Sequence, residues 1–131
     1  MSQRRQETFI HLVWSTWDRA PMLGVEARQL VWGTIARTAW DLGCTWVGVG
    51  CIEDHVHVLC AIPTTLPVAE LAHRLKGVSA RATNLRAPNS LRWQGGYGAF
   101  SVSPHEVSTV EAYIRNQELH HRSGSSDPAW E

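Results

Sequence analysis

The sequence predicts an α+β fold of the ferredoxin-like, split βαβ kind: a four-stranded antiparallel sheet with helices on one face, followed by a C-terminal helix. Three observations predict it. Short runs rich in β-branched and aromatic residues alternate with longer runs of helical period, in the order β-α-β-β-α-β. Two of the strand-like runs are separated only by Glu53-Asp54, a tight polar turn that makes them a hairpin. A marked helix start, Ser103-Pro104-His105-Glu106, follows the last strand-like run.

The first strand is "TFIHLVWS", Thr8 to Ser15. A loop with Pro21 leads to a helix over 25–42, where Leu30, Val31, Ile35, Ala39 and Leu42 recur at helical spacing and Gly43 supplies the stop. "TWVGVGCI" (45–52) and "HVHVLCAI" (55–62) form the hairpin. Pro67 suits the first turn of a second helix, whose apolar stripe is Val68, Leu71, Ala72, Leu75, Val78 and Ala82. Residues 87–98 are irregular, "AFSVS" (99–103) is the last strand, and the third helix starts at Ser103 or at Ser108. With 131 residues the chain reads as one domain, 1–131, with flexible ends at 1–7 and 123–131.

Composition narrows the class. A hydrophobic content of 44% and a charged content of 18% describe a globular protein rather than a disordered one. No apolar stretch approaches the roughly 18 residues of a membrane span, and the polar start lacks a secretory signal, so a cytoplasmic protein with no membrane contact is expected. Cys44, Cys51 and Cys60 cannot all pair within the chain and read as small buried residues. A zinc site of Cys51, His55, His57 and Cys60 fails on parity, because Cys60 lies three residues from His57 and points to the other side of a strand.

Net charge is zero, with 12 basic and 12 acidic residues, so bulk electrostatics announces no polyanion. The distribution is more telling. Between residues 71 and 105 stand Arg74, Lys76, Arg81, Arg86 and Arg92 with no Asp or Glu. A basic surface of this kind fits a nucleic-acid contact or, equally, a solvated helix face. Trp14, Trp32, Trp40 and Trp46 sit in elements that need a core and read as packing, whereas Trp93 and Tyr97, in a glycine-rich loop of the basic stretch, are candidates for base stacking.

Two groups of residues carry chemistry. His55 and His57 are two apart on a strand and share a face with Leu59 and Ala61; Val56, Val58, Cys60 and Ile62 form the apolar face that suits the helices. The imidazoles are therefore expected on the open side of the sheet, as a cation site or as a structural or solvent-facing pair. In "AYIRNQELHH" (112–121), Tyr113 and Gln117 are one helical turn apart, a phenol beside an amide that could be nucleophile and metal ligand, or surface residues of an amphipathic helix.

The ordered set "DHVHV" (54–58), "YIRNQ" (113–117) and the His120-His121 pair resembles the single-tyrosine HUH transposases of bacterial insertion sequences and their relatives associated with repetitive palindromes. "HLVWSTWDRAPML" and "WQGGYGAFSVS" resemble the same family, and the likeness runs over residues 8–122. The resemblance implies that His55, His57 and Gln117 hold a divalent metal, Mg²⁺ or Mn²⁺. It implies Tyr113 as the catalytic nucleophile that cleaves single-stranded DNA, leaving a 5′-phosphotyrosine and a free 3′-hydroxyl for rejoining. It also implies substrates with hairpin ends and a homodimer whose active sites are shared between subunits. DNA contact would fall to Arg74, Lys76, Arg81, Arg86, Arg92, Trp93 and Tyr97. The rival reading is an inactive or domesticated hairpin-binding module on the same fold. A cyclic-phosphate esterase on this fold would resemble families with two separate His-x-Thr/Ser motifs, whereas valine follows both His55 and His57; a nucleobase deaminase would need His-x-Glu and Pro-Cys-x-x-Cys, which the sequence lacks.

Overall fold

The computed structural model describes residues 8–116. Four strands are seen: β1 (Thr8–Ser15), β2 (Val47–Cys51), β3 (His55–Ile62) and β4 (Gly98–Val102). Three helices accompany them: α1 (Val25–Asp41), α2 (Val68–Arg86) and α3 (Val107–Arg115). The sheet order is β2-β3-β1-β4, and every neighbouring pair is antiparallel. β1 and β2 therefore run the same way with β3 between them, while β3 and β4 enclose β1, which is the interleaved double split βαβ expected from the element order.

Local signals explain the boundaries. α1 ends in a Schellman arrangement: the Gly43 N–H donates to the Trp40 carbonyl and the Cys44 N–H to that of Ala39, both at 3.0 Å, with Gly43 at φ +99°. Glu53 and Asp54 make the two-residue turn of the β2–β3 hairpin, closed by the Ile52 N–H donating to the His55 carbonyl at 3.0 Å. Of the two candidate starts for the last helix, the chain takes both in part. Pro104–Glu106 forms one 3₁₀ turn, in which the Ser103 hydroxyl meets the Glu106 carboxylate at 3.0 Å, and α3 begins at Val107.

The main core lies between the sheet and the α1–α2 layer. Val56, Val58, Cys60 and Ile62 of β3 face Leu71 and Leu75 of α2 and Val31 and Ile35 of α1. Each fully buried Leu or Val there contributes on the order of 1.5–3 kcal/mol. Cys60 points into this layer, away from His57, as strand parity requires. Burial pushes the Cys51 thiol up to about 12, and a hydrogen bond from Cys44 together with burial pushes Cys60 up as well, so these cysteines pack as thiols.

Two expectations are corrected. Trp32 and Trp40 are 53% and 64% exposed rather than packed. The core stripe of α1 is Val31, Ile35 and Ala39, and Trp32 and Trp40 each follow or precede it by one residue, about 100° around the helix. Trp14 is buried and Trp46 half-buried, as expected. The second correction concerns the other face of the sheet. It is not open: α3 folds across it and forms a small second core of Leu59, Val110, Tyr113 and Ile114, flanked by Phe9, Trp46 and Val102.

Candidate active site

That second layer holds the histidines. Register places His57 opposite Val13 and His55 opposite Ser15 on β1, and His57 opposite Gly50 on β2. His55 and His57 are 1% and 0% exposed, with ring centroids 5.0 Å apart and planes at 70°. The pair stands on one face, as its spacing predicts, but buried beneath α3 rather than facing solvent. Tyr113 descends from α3 and sets its ring edge-on against His57, with centroids 5.7 Å apart at 83°. One chain thus brings the phenol and the imidazoles together by itself.

A glycine makes this approach feasible. Gly50, directly across from His57, sits under Ile114, and a Cβ there would fall inside contact distance of the Ile114 carbonyl oxygen and Cγ2. Any larger residue would hold α3 off the sheet and carry Tyr113 away with it.

A third histidine was not singled out from the sequence. His11 of β1 is fully buried on the same face, and its Nε2 lies 2.8 Å from Nδ1 of His57, with the rings stacked at 5.0 Å. His55 is held through its own Nδ1, 2.7 Å from Asp54 Oδ1. Arg19 completes that end: its Nε is 3.5 Å from Asp54 Oδ2 and its Nη2 3.4 Å from His55 Nδ1. The short carboxylate contact claims the Nδ1 proton of His55, so the guanidinium acts on Asp54 rather than donating to the ring.

These contacts fix what the imidazoles can do. A ring whose Nδ1 donates its proton presents the Nε2 lone pair to a cation, the usual way an outer partner orients a ligating histidine. In His55 the donor role follows from the carboxylate. In His57 it requires His11 Nε2 to accept, which places the His11 proton on Nδ1. Both rings can therefore serve as ligands through Nε2, and the donor set suits a divalent metal. Among the described residues, no three His, Cys, Asp or Glu side chains are grouped as a metal site. Gln117, expected as the third ligand, lies outside the described residues, as do His120, His121 and the two ends expected to be flexible.

The residues expected to touch DNA are not brought together. Arg74, Arg81 and Arg86 are exposed on α2, in the layer on the far side of the sheet from the histidines. Lys76 donates to the carbonyls of Gln94 and Gly96 at 2.8 and 2.9 Å, and burial holds its pKa below the ordinary lysine value. Trp93 packs edge-on against Trp14 and donates its N–H to the Lys76 carbonyl and Ser79 hydroxyl, both at 3.1 Å, so its ring anchors the loop. Arg92 lies 3.8 Å over the Trp17 ring. Tyr97 is exposed and lies near the site: it lines a cavity of about 270 Å³ together with His55 and Arg19.

Solved structures similar to this chain include two transposases. One, described as a candidate transposase from Deinococcus radiodurans R1, is 25% identical, with a TM-score of 0.71 over 89% of this chain and 98% of that one. The other, a REP-associated tyrosine transposase bound to a REP hairpin, is 16% identical, with a TM-score of 0.65 over 92% of this chain and 74% of that one, a likeness of fold. No curated protein matches the sequence. Residues 5–117, which contain the whole sheet, the histidines and the tyrosine helix, match the family model described as "Transposase IS200 like", and the chain belongs to that transposase family.

Proposed function

We propose that the chain is a metal-dependent transposase of single-stranded DNA in which Tyr113 is the nucleophile. The observation that carries this reading is the contact of the Tyr113 ring with His57, within a layer that also buries His55 and His11. The phenolic oxygen gives up its proton to solvent and bonds to phosphorus, the bond from phosphorus to the 3′-oxygen breaks, and the departing 3′-oxygen takes up a proton from solvent. The link left behind is a 5′-phosphotyrosine, itself a phosphodiester, so attack by a 3′-hydroxyl can rejoin strands without another energy source. Mg²⁺ or Mn²⁺ held by His55, His57 and Gln117 would draw charge from the scissile phosphate and stabilise the departing oxygen.

The chain's own residues supply the rest. Asp54 and His11 hold the two imidazoles in one tautomer and orientation. α3, seated over Gly50, sets the phenol in place before substrate arrives, which spares the entropy of positioning it during the reaction. Arg19 brings a cation to the His55 end of the site, where a phosphate would be attracted. DNA with hairpin ends is the proposed substrate, supported by family membership and by the hairpin held by the similarly folded transposase. Exposed Arg74, Arg81, Arg86 and Arg92 are the proposed contacts for the duplex stem.

The reading is tested by incubating the protein with single-stranded DNA carrying a hairpin end, with and without Mn²⁺. A strand retained covalently only with metal supports it. Hairpin binding with no covalent product under any metal would leave a binding module instead. A homodimer with shared sites is also proposed, and mixing inactive Tyr113→Phe and His57→Ala proteins separates its two forms. Restored cleavage means that the tyrosine acts on the partner's histidines; no restoration, with both proteins folded and paired by circular dichroism and size-exclusion chromatography, means that each chain uses its own.

His11→Ala is expected to weaken Mn²⁺ binding by about 10- to 100-fold, the usual effect of losing an outer partner of a ligating histidine. His11→Gln, whose amide oxygen can accept the same proton, should recover part of it. Titration calorimetry reads both, and unaltered affinity in His11→Ala would remove His11 from the metal's support.

A further inference from the structure

The cavity beside His55 has a shape and lining that the cleavage chemistry alone does not use. It opens on the histidine face between the ends of β1 and β4, and its walls are Val13, Arg19, His55, Tyr97 and Phe100. The glycine-rich stretch from Gln94 to Gly98 also lines it. We propose that this cavity receives one unpaired nucleobase of the strand being cleaved, next to the scissile phosphate. The inference rests on the proposed single-stranded substrate and names the part of that substrate that is gripped.

Position is the first argument. His55 both lines the cavity and forms half of the imidazole pair, so an occupant abuts whatever phosphate lies at that pair. Size is the second. At about 270 Å³ the space lies just below the range of roughly 300–1,000 Å³ that takes drug-sized ligands, enough for one ring system but not for a base pair.

The lining is the third argument. Tyr97, 42% exposed, and half-buried Phe100 and Val13 are among the lining residues, so the lining is aromatic and aliphatic. Stacking against such a lining tolerates any base, because every base has a π-face. Within the glycine-rich stretch Gly95 and Gly96 present no side chain to the cavity, and Gly96, at φ +84°, is in a conformation that favours glycine. The stretch is also rigid. Lys76 Nζ ties down the Gln94 and Gly96 carbonyls, and the Gln94 N–H donates to the Ser15 carbonyl at 2.9 Å. A preformed cavity of this kind pays little ordering cost when a base enters. Arg19, at the rim, meets the charge of the adjoining phosphate.

The test compares two probes of equal length, oligothymidylate and an oligomer of abasic tetrahydrofuran sites, which keeps the phosphates and lacks the bases. Wild-type protein is expected to bind oligothymidylate about tenfold more tightly, the value of one stacked base. Tyr97→Ala should erase that preference and leave binding of the abasic oligomer unchanged. Equal weakening of both probes, weakening of neither, or no preference in the wild type would overturn the pocket. Covalent capture by the wild-type protein separates the two failures. Capture without base preference removes the pocket alone, whereas absence of both binding and capture removes the single-strand reading beneath it.

Discussion

Tyr113→Phe is expected to abolish covalent capture of DNA, by about three orders of magnitude or more, while the protein stays folded. The substitution removes one oxygen and keeps the ring that packs against His57, Leu59 and Val110. Its effect on stability should therefore stay near the net value of one hydroxyl, about 1 kcal/mol. A phenol is a weak nucleophile at neutral pH, and nothing else in a phenylalanine ring can replace it. Binding of the hairpin strand should persist. This variant is a cleaner probe than His57→Ala, because His57 is fully buried and its truncation would open a cavity in the second core. Capture by Tyr113→Phe at the wild-type rate would assign the nucleophile elsewhere.

Gly50→Val is expected to uncouple α3 from the sheet. The valine side chain would enter the space held by the Ile114 backbone, which has no rotamer through which to yield. Forcing such an overlap costs about 1–3 kcal/mol, which the short α3 can avoid by lifting away. Either response moves Tyr113 from His57, and a displacement of about 1 Å at a reacting group can cost about 100-fold. Hydrogen exchange over 107–115 should quicken and capture of DNA should fall by at least that factor. Gly48→Ala is the control. Gly48 lies on the same face of β2, but its added methyl crowds the end of the Trp46 ring, at 3.2 Å, where the side chain can shift, and meets the Leu59 carbonyl oxygen at an ordinary 3.9 Å. Slow exchange over α3 and full capture in Gly50→Val would contradict the packing assigned to this helix.

Much of this is legible in the sequence. The strand over Thr8–Ser15, the Glu53-Asp54 turn and the His-x-His parity are local matters of period and turn chemistry, and each stands where the sequence predicts it. What stayed hidden depends on register and on docking. His11 reaches His57 only because β1 pairs with β3 in one particular alignment, which no local pattern specifies. The "VGVGC" run reads as a strand, yet nothing in it says that a helix 60 residues later needs Gly50 bare. For the same reason the histidine face was expected to be open: α3 is amphipathic, but its sequence does not name the surface it will cover. The exposed Trp32 and Trp40 were readable in principle, since the Val31, Ile35, Ala39 stripe leaves both tryptophans off the core side.

The phenol held against His57 is expected to become bonded to DNA. Peptide mapping by mass spectrometry after incubation with Mn²⁺ and a hairpin-ended single strand tests it most directly. The chain has two tyrosines, Tyr97 and Tyr113, and trypsin releases both in one peptide from Trp93 to Arg115. Fragmentation of that peptide should place a nucleotide on Tyr113 through a 5′-phosphate. A nucleotide on Tyr97, or a cleaved strand with no covalent mark on the protein, would contradict the account.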